Sequence, residues 1–303
     1  MKTNILSNPK GDILGGITAG VIALPLAIAL GVASGLGATA GMYGAIIVGL
    51  LAAIFGGTTT QITGPTGPMA VVLASMVALN PNNTAIVFTT IFVAGVIQIL
   101  LGCFKVGKLV NFIPYPVISG FMSGIGAIII LLQLNPLLGL EYNGTPFGGF
   151  INVLKSLDFI NYSSLILGII SLLIVFFTPK KLASKVPPPL IALVAGTMIS
   201  TGLGLNVGTI GEIPASFPKF ILPAFHFADL KIIISMAVTL AVLGSIDSLL
   251  TSLVADSLTK TKHQPNRELI GQGIGNAVAG LFGGVASAGA TMRTVVNIKT
   301  GGK

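Results

Sequence analysis

Gly64-Pro65-Thr66-Gly67-Pro68 and Ser287-Ala288-Gly289-Ala290 each open an apolar run too short to cross a bilayer, over about 66–79 and 289–298. Proline and glycine at both entrances leave backbone groups without helical partners. Hydrocarbon tolerates this only where the segment is buried in protein or lines a cavity. Two interrupted half-spans are therefore expected. Around them, apolar runs at about 13–33, 40–56, 84–104, 116–134, 164–178, 189–203, 232–254 and 269–283 have the length and composition of full or nearly full membrane spans. The pattern predicts an all-α polytopic membrane protein.

Composition agrees. Of 303 residues, 53% are apolar and 8% charged, against roughly 25% charged in a soluble domain. That excludes an ordinary soluble fold, and so much apolar surface excludes disorder. The net charge of +8 lies between apolar runs rather than in a basic stripe interleaved with aromatics, so nucleic acid is not an expected partner. Cys103 is the single cysteine, which excludes an intramolecular disulfide and a multi-cysteine metal site. Residues 1–11 are polar and read as a cytoplasmic N-terminus. The apolar run that follows is longer than a signal-peptide core and lacks a clear small-residue cleavage site, so it reads as a retained first helix.

With the N-terminus in the cytoplasm and the half-spans counted as crossings, Lys2, Lys10, Lys105, Lys108, Lys180, Lys181, Lys185, Lys260, Lys262 and Arg267 fall on the cytoplasmic side. Lys155, Lys219 and Lys231 fall outside. Ten against three is the asymmetry that the positive-inside rule asks for. The segments at about 135–163 and 204–231 read as extracytoplasmic connections.

Gly44, Ile47, Ala52, Phe55, Gly56 and Gly57 recur at an offset of 227 as Gly271, Ile274, Ala279, Phe282, Gly283 and Gly284. Each copy leads directly into one of the half-spans. A unit of seven helices, an odd number, places its second copy upside down in the membrane, and transporters set their substrate site between the paired broken helices of such repeats. The first repeat is expected over 12–230 and the start of the second over 231–303. On this reading the chain stops partway through its second half, after about ten transmembrane segments, and transport by the 303 residues alone is not expected.

Asp247 is the one carboxylate inside an expected span. An acid at the centre of a membrane helix costs about 2.5–3.5 kcal/mol on insertion scales, which makes it a functional candidate. Thr251 is one turn on, on the same face, and adds a hydroxyl oxygen. Carboxylate, hydroxyl and carbonyl oxygens suit a small hard cation such as sodium. A structural ion pair or a proton-carrying acid would also account for Asp247. Arg293 stands at the start of the second half-span, where free N–H groups and the helix dipole already favour an anion. The facing Thr66-Gly67-Pro68 should supply a second positive dipole end. Arg293 would alternatively be a cation snorkelling to the interface. Gly16 and Gly20, like Gly120 and Gly124, have the spacing of close helix packing. His226 and His263 lie in loops and read as surface residues.

Pro65-Thr66-Gly67-Pro68-Met69, Pro116-Val117-Ile118-Ser119-Gly120-Phe121, Ile246-Asp247-Ser248-Leu249-Leu250-Thr251, Asn266-Arg267-Glu268-Leu269 with Gly271-Gln272-Gly273, and Gly289-Ala290-Thr291-Met292-Arg293-Thr294 resemble the motifs of the SulP-type anion permeases. The likeness is strongest to their cyanobacterial, sodium-dependent bicarbonate branch. It implies a seven-plus-seven inverted-repeat, UraA-like fold, with a mobile core domain against a gate domain, then a cytoplasmic STAS domain that is absent here. By motif position it implies sodium coordination by Asp247, Thr251, Gly289 and Thr291. It likewise implies an anion site formed by Thr66, Gly67, Ala290, Met292 and Arg293. Gly64 departs from the pattern, since a close relative carries an acid there.

The function expected is secondary active transport of bicarbonate with sodium across the plasma (inner) membrane, with no further cofactor and with a homodimer in the full-length protein. A proton-coupled sulfate or dicarboxylate permease of the same family is the alternative. A channel would not need broken helices closing around a single site, and no nucleophile with an adjacent base suggests an enzyme.

Overall fold

The computed structural model describes residues 8–81, 83–108, 114–140, 146–179, 182, 188–209, 218–225, 227 and 229–303. His226, Lys2, Lys180, Lys181 and Lys185 lie outside the described residues. In order, the elements are α1 (Pro9–Ala33), α2 (Ala38–Phe55), β1 (Thr63–Pro65), α3 (Gly67–Leu79), α4 (Thr84–Cys103), α5 (Tyr115–Leu137), α6 (Pro146–Lys155), α7 (Tyr162–Phe177), α8 (Pro188–Gly202), α9 (Leu230–Thr259), α10 (Pro265–Leu281), β2 (Ser287–Gly289) and α11 (Thr291–Lys299). The expected spans and half-spans all appear as helices. The 135–163 segment, expected to be a connection, also contains α6 and a short 3-10 turn over Leu157–Phe159. Phe147, Phe150, Ile151 and Leu154 stand at helical spacing, but ten residues are too few to read as a membrane span.

Two compact units are present, Met1–Phe121 with Glu212–Lys303, and Met122–Gly211. In the smaller, α7 packs on α8. There Asn135, buried, donates to Gly149 O at 2.9 Å and accepts from Asn152 Nδ2 at 2.9 Å, which ties α5 to α6.

In the larger unit, α10 packs along α4 and α2, α9 along α4, and α1 along α2. Helices α1, α2, α4 and α9 are each long and apolar enough to cross a membrane. On α1 the burial is the reverse of a soluble helix: the exposed side chains include Ile13, Leu14 and Ile17, while the buried positions are Gly15, Ala19, Ala27 and Gly31; α4 and α9 instead bury Ile86, Val87, Ile91, Ile233 and Leu240 in a shared apolar core. Lipid is as apolar as leucine, so helices gain little by hiding large side chains and associate through small residues that bring backbones close.

The close approach is not where the sequence spacing put it. A Cβ added at Gly16, Gly20, Gly120 or Gly124 would meet nothing within 4 Å. At Gly95 it would lie 2.2 Å from Ala277 N and 2.6 Å from Gly273 O, and at Gly273 it would lie 2.6 Å from Gly95 O. Spacing along one helix identifies a small-residue face but not the partner that fills it. Gly95→Ala is thus expected to force α4 from α10 and to cost about 1–3 kcal/mol. Gly16→Ala is expected to be neutral or to stabilise by up to about 1 kcal/mol through helix propensity. Unfolding midpoints of the two variants in detergent would show the contrast, and equal midpoints would contradict the α4–α10 contact.

Strands β1 and β2 pair antiparallel, with Thr63 opposite Gly289, Gly64 opposite Ala288 and Pro65 opposite Ser287. They are the extended approaches to the short helices α3 and α11, and each supplies the other's backbone partners where hydrocarbon would supply none. Side chains finish the task. Asn276 on α10 accepts from Ser287 N at 2.8 Å and donates to Ser287 O at 2.9 Å. Ala290 N donates to Ile62 O at 2.8 Å, and Ile62 N to Thr294 Oγ1 at 3.0 Å.

Candidate ion site where two half-helices cross

All the candidate residues lie in the larger unit. Thr66 is the N-cap of α3 and Ala290 the N-cap of α11, so the β1–β2 pair brings two helix N-termini together. The first turn of any helix leaves its N–H groups without intrahelical acceptors. Pro68 removes one from α3, which leaves the N–H groups of Gly67 and Met69. On α11 they are those of Thr291, Met292 and Arg293. Ala290 does not add to this set, because its N–H is committed to Ile62 O. Met292 can contribute only through its backbone, since its side chain is 77% exposed.

Arg293 is 1% exposed and does not snorkel. Its Nη2 donates to Pro65 O at 2.7 Å, tying α11 to the end of β1, while Nε and Nη1 are buried without a hydrogen-bond partner. Gly64 makes this placement possible: a Cβ there would stand 2.5 Å from Arg293 Nη1. The glycine that breaks the expected motif therefore gives the guanidinium room to lie against β1.

Asp247, 4% exposed on α9, lies within electrostatic reach of Arg293 and beside Thr66. Among the described residues Asp247 has no direct ion-pair partner, and both Asp247 Oδ2 and Thr66 Oγ1 are buried without a well-formed hydrogen bond. One turn on, Thr251 Oγ1 donates to Gly289 O at 3.0 Å and lies 2.8 Å from Thr291 Oγ1. Gly289 N in turn donates to Ser248 Oγ at 3.0 Å. The structure thus brings Thr251, Gly289 and Thr291 into one oxygen cluster, and Asp247, Thr66 and Arg293 into an adjoining group with unused hydrogen-bonding capacity.

Unpartnered donors on Arg293 and at two helix N-termini suit an anion. Carboxylate, hydroxyl and carbonyl oxygens suit a hard cation. His263 is not the surface residue expected: its side chain is 6% exposed, with Nδ1 2.7 Å from Asp256 Oδ2.

The sulfate permease family model matches residues 10–303. The chain belongs to the sulfate permease family. It is 51% identical over 307 residues to the bicarbonate transporter BicA of Synechocystis sp., covering 98% of the chain and 54% of that protein. It is 35% identical over 269 residues to the putative sulfate transporter YvdB of Bacillus subtilis, covering 86% and 50%. Among solved structures it is similar to the transmembrane domain of a cyanobacterium bicarbonate transporter BicA, with a TM-score of 0.92, 50% identity, and coverage of 98% of this chain and 78% of that one. The chain spans about half the length of the curated relatives it matches. Membership and fold together make this permease chain a multi-pass helical membrane protein.

Sequence reasoning missed Glu268. It is 2% exposed and accepts hydrogen bonds from Gly57 N and Gln61 Nε2, each at 2.8 Å. The available signal was its place in the Asn266-Arg267-Glu268-Leu269 motif.

Proposed function

We propose that the protein carrying this chain moves bicarbonate inward together with sodium. The observation that carries the proposal is the adjacency, at two crossed helix N-termini, of an incompletely bonded buried guanidinium and an incompletely bonded buried carboxylate. Each ion would then meet an opposite fixed charge: bicarbonate at Arg293 and the N–H groups of Gly67, Met69, Thr291 and Met292, with the Thr66 hydroxyl beside them, and sodium at Asp247 with the oxygens of Thr251, Gly289 and Thr291. The name and 51% identity of the Synechocystis relative favour bicarbonate.

The same proposal takes 12–230 as one inverted repeat and 231–303 as the start of its mate, within the seven-plus-seven arrangement. It rests on the offset of 227 and on the twofold occurrence of a helix, a strand and a half-helix in that order. The charge asymmetry of the loops supports a cytoplasmic N-terminus, and the plasma (inner) membrane belongs to the same reading by likeness to the family. A homodimer and an elevator-like displacement of the core belong to the same reading, by likeness to the family. A second reading is a proton-coupled sulfate or dicarboxylate permease, of which the name of the Bacillus relative favours the sulfate part.

Uptake of labelled bicarbonate and of labelled sulfate into proteoliposomes, with and without an inward sodium gradient, tests the proposal. Saturable, sodium-stimulated bicarbonate uptake is the expected result. Sulfate uptake that follows a proton gradient and ignores sodium would replace it with the second reading.

A further inference from the structure

Glu268, in the first turn of α10, takes no part in the reading above. Both of its oxygens are occupied as acceptors: Oε2 by Gly57 N at 2.8 Å, and Oε1 by Gln61 Nε2 and Gln272 Nε2, each at 2.8 Å. Among the described residues it has no ion-pair partner. A buried carboxylate without a cation is costly unless its oxygens are satisfied. Here the satisfying donors come from α10 itself and from the 56–62 approach to β1, more than 200 positions earlier in the chain.

Two of these bonds, those of Gln272 and Gln61, lead on toward the ion site. Gln272 Nε2 also donates to Thr63 Oγ1 at 2.7 Å, on β1. Gln61 Oε1 accepts from Ser252 Oγ at 2.9 Å, and Ser252 Oγ lies 2.7 Å from Thr58 Oγ1. Gln61 Nε2 is 2.3 Å from where a Cβ on Gly289 would stand, so the amide that Glu268 holds is seated against the Gly289 backbone. That backbone is otherwise fixed by Ser248 at its N–H and by Thr251 at its carbonyl.

We infer that Glu268 is a positioning residue for the cation site: acting through Gln61, it sets where the Gly289 carbonyl stands relative to Thr251 and Thr291. The inference rests on the proposal that those oxygens receive sodium. Groups one bond behind a metal's ligands orient them, and losing such a group typically lowers metal affinity by about 10–100-fold. Glu268→Gln keeps the shape but turns an N–H donor toward donors already present, and so releases Gln61 from one side.

The test is a sodium chloride titration of the unfolding midpoint of the chain in detergent, with potassium chloride at matched ionic strength as the control. The wild type should show saturable stabilisation specific to sodium. Glu268→Gln should shift the sodium concentration for half-maximal stabilisation upward by about tenfold, the lower end of the range for a group bonded directly to a ligand, because Gln61 meets Gly289 by contact only, and Ser252→Ala should shift it less, in the same direction. The exchange of Gln61→Glu with Glu268→Gln rebuilds a carboxylate–amide pair in reverse order and should return the value toward wild type.

A Glu268→Gln chain that melts lower without sodium yet keeps the wild-type sodium dependence has lost only packing, which overturns the inference. Should Glu268→Gln not fold, Ser252→Ala and the exchange decide. An unchanged sodium dependence in Ser252→Ala overturns the inference, and a shift there that the exchange does not share upholds it. A wild type with no sodium-specific stabilisation overturns the sodium reading itself, and the inference with it. A responsive wild type whose variants keep its half-maximal sodium concentration overturns the inference alone.

Discussion

Asp247→Asn is expected to abolish sodium stimulation of anion uptake in the protein that carries this chain. The substitution keeps nearly the same shape in a site that is 4% exposed and removes the only carboxylate assigned to the cation. Taking one member from a buried charge pair costs about 3–5 kcal/mol, which corresponds to roughly two to four orders of magnitude in the sodium concentration required. Thr251→Ala should raise that concentration by a smaller factor, because it removes one neutral oxygen and releases the Gly289 carbonyl that Thr251 now holds at 3.0 Å. Uptake measured across sodium at fixed pH, and across pH at fixed sodium, separates this from the proton-coupled reading. A wild type that answers to a proton gradient and not to sodium would end the sodium assignment.

Arg293→Lys should keep the charge and weaken anion binding. The guanidinium divides its work: Nη2 holds Pro65 O at 2.7 Å, and Nε and Nη1 are left for a ligand. A lysine ammonium is a point donor on a flexible stem and cannot hold the strand and present a fixed fork together. A charge-assisted hydrogen bond is worth about 1.5–3 kcal/mol, so the half-saturating anion concentration should rise by about 10–100-fold at saturating sodium. Arg293→Ala is a poorer probe, because a side chain 1% exposed leaves both a cavity and an unpaired carbonyl when truncated. If Arg293→Lys lowered the amount of folded protein while uptake per folded molecule and half-saturation stayed at wild-type values, the arginine would be a structural tie and the anion would be held elsewhere.

The parts of this molecule that were legible are those fixed by local chemistry. Apolar runs gave the spans because the bilayer sets their length, and Pro65, Gly67 and Pro68 gave the first half-helix because proline and glycine interrupt any helix. Arg293 and Asp247 stood out because charge is costly in an apolar run. What escaped depends on partners far along the chain. Glu268, next to Asn266 and Arg267, has the composition of a loop end, and only Gly57 and Gln61, 211 and 207 positions away, make it a buried residue. Gly16 and Gly20 have the packing spacing without a packing neighbour, whereas Gly95 and Gly273 meet although they lie on different helices, 178 positions apart, and nothing local to either names the other. Ala290 matches a motif position, yet the β1–β2 pairing had already engaged its N–H.

The β1–β2 pairing also bears on how the protein is made. The Arg293 side chain and the Pro65 carbonyl that it holds are 228 positions apart, so at about 5–20 residues per second the ribosome delivers the second arm some 10–50 s after the first. Throughout that interval the extended segment before α3 carries amide groups whose partners do not yet exist, and each costs several kcal/mol if it faces acyl chains. The early arm must therefore wait at the translocon, at the lipid surface or under a membrane chaperone. The crossing that forms the proposed ion site is a late event of biogenesis, complete only when the chain beyond residue 287 arrives.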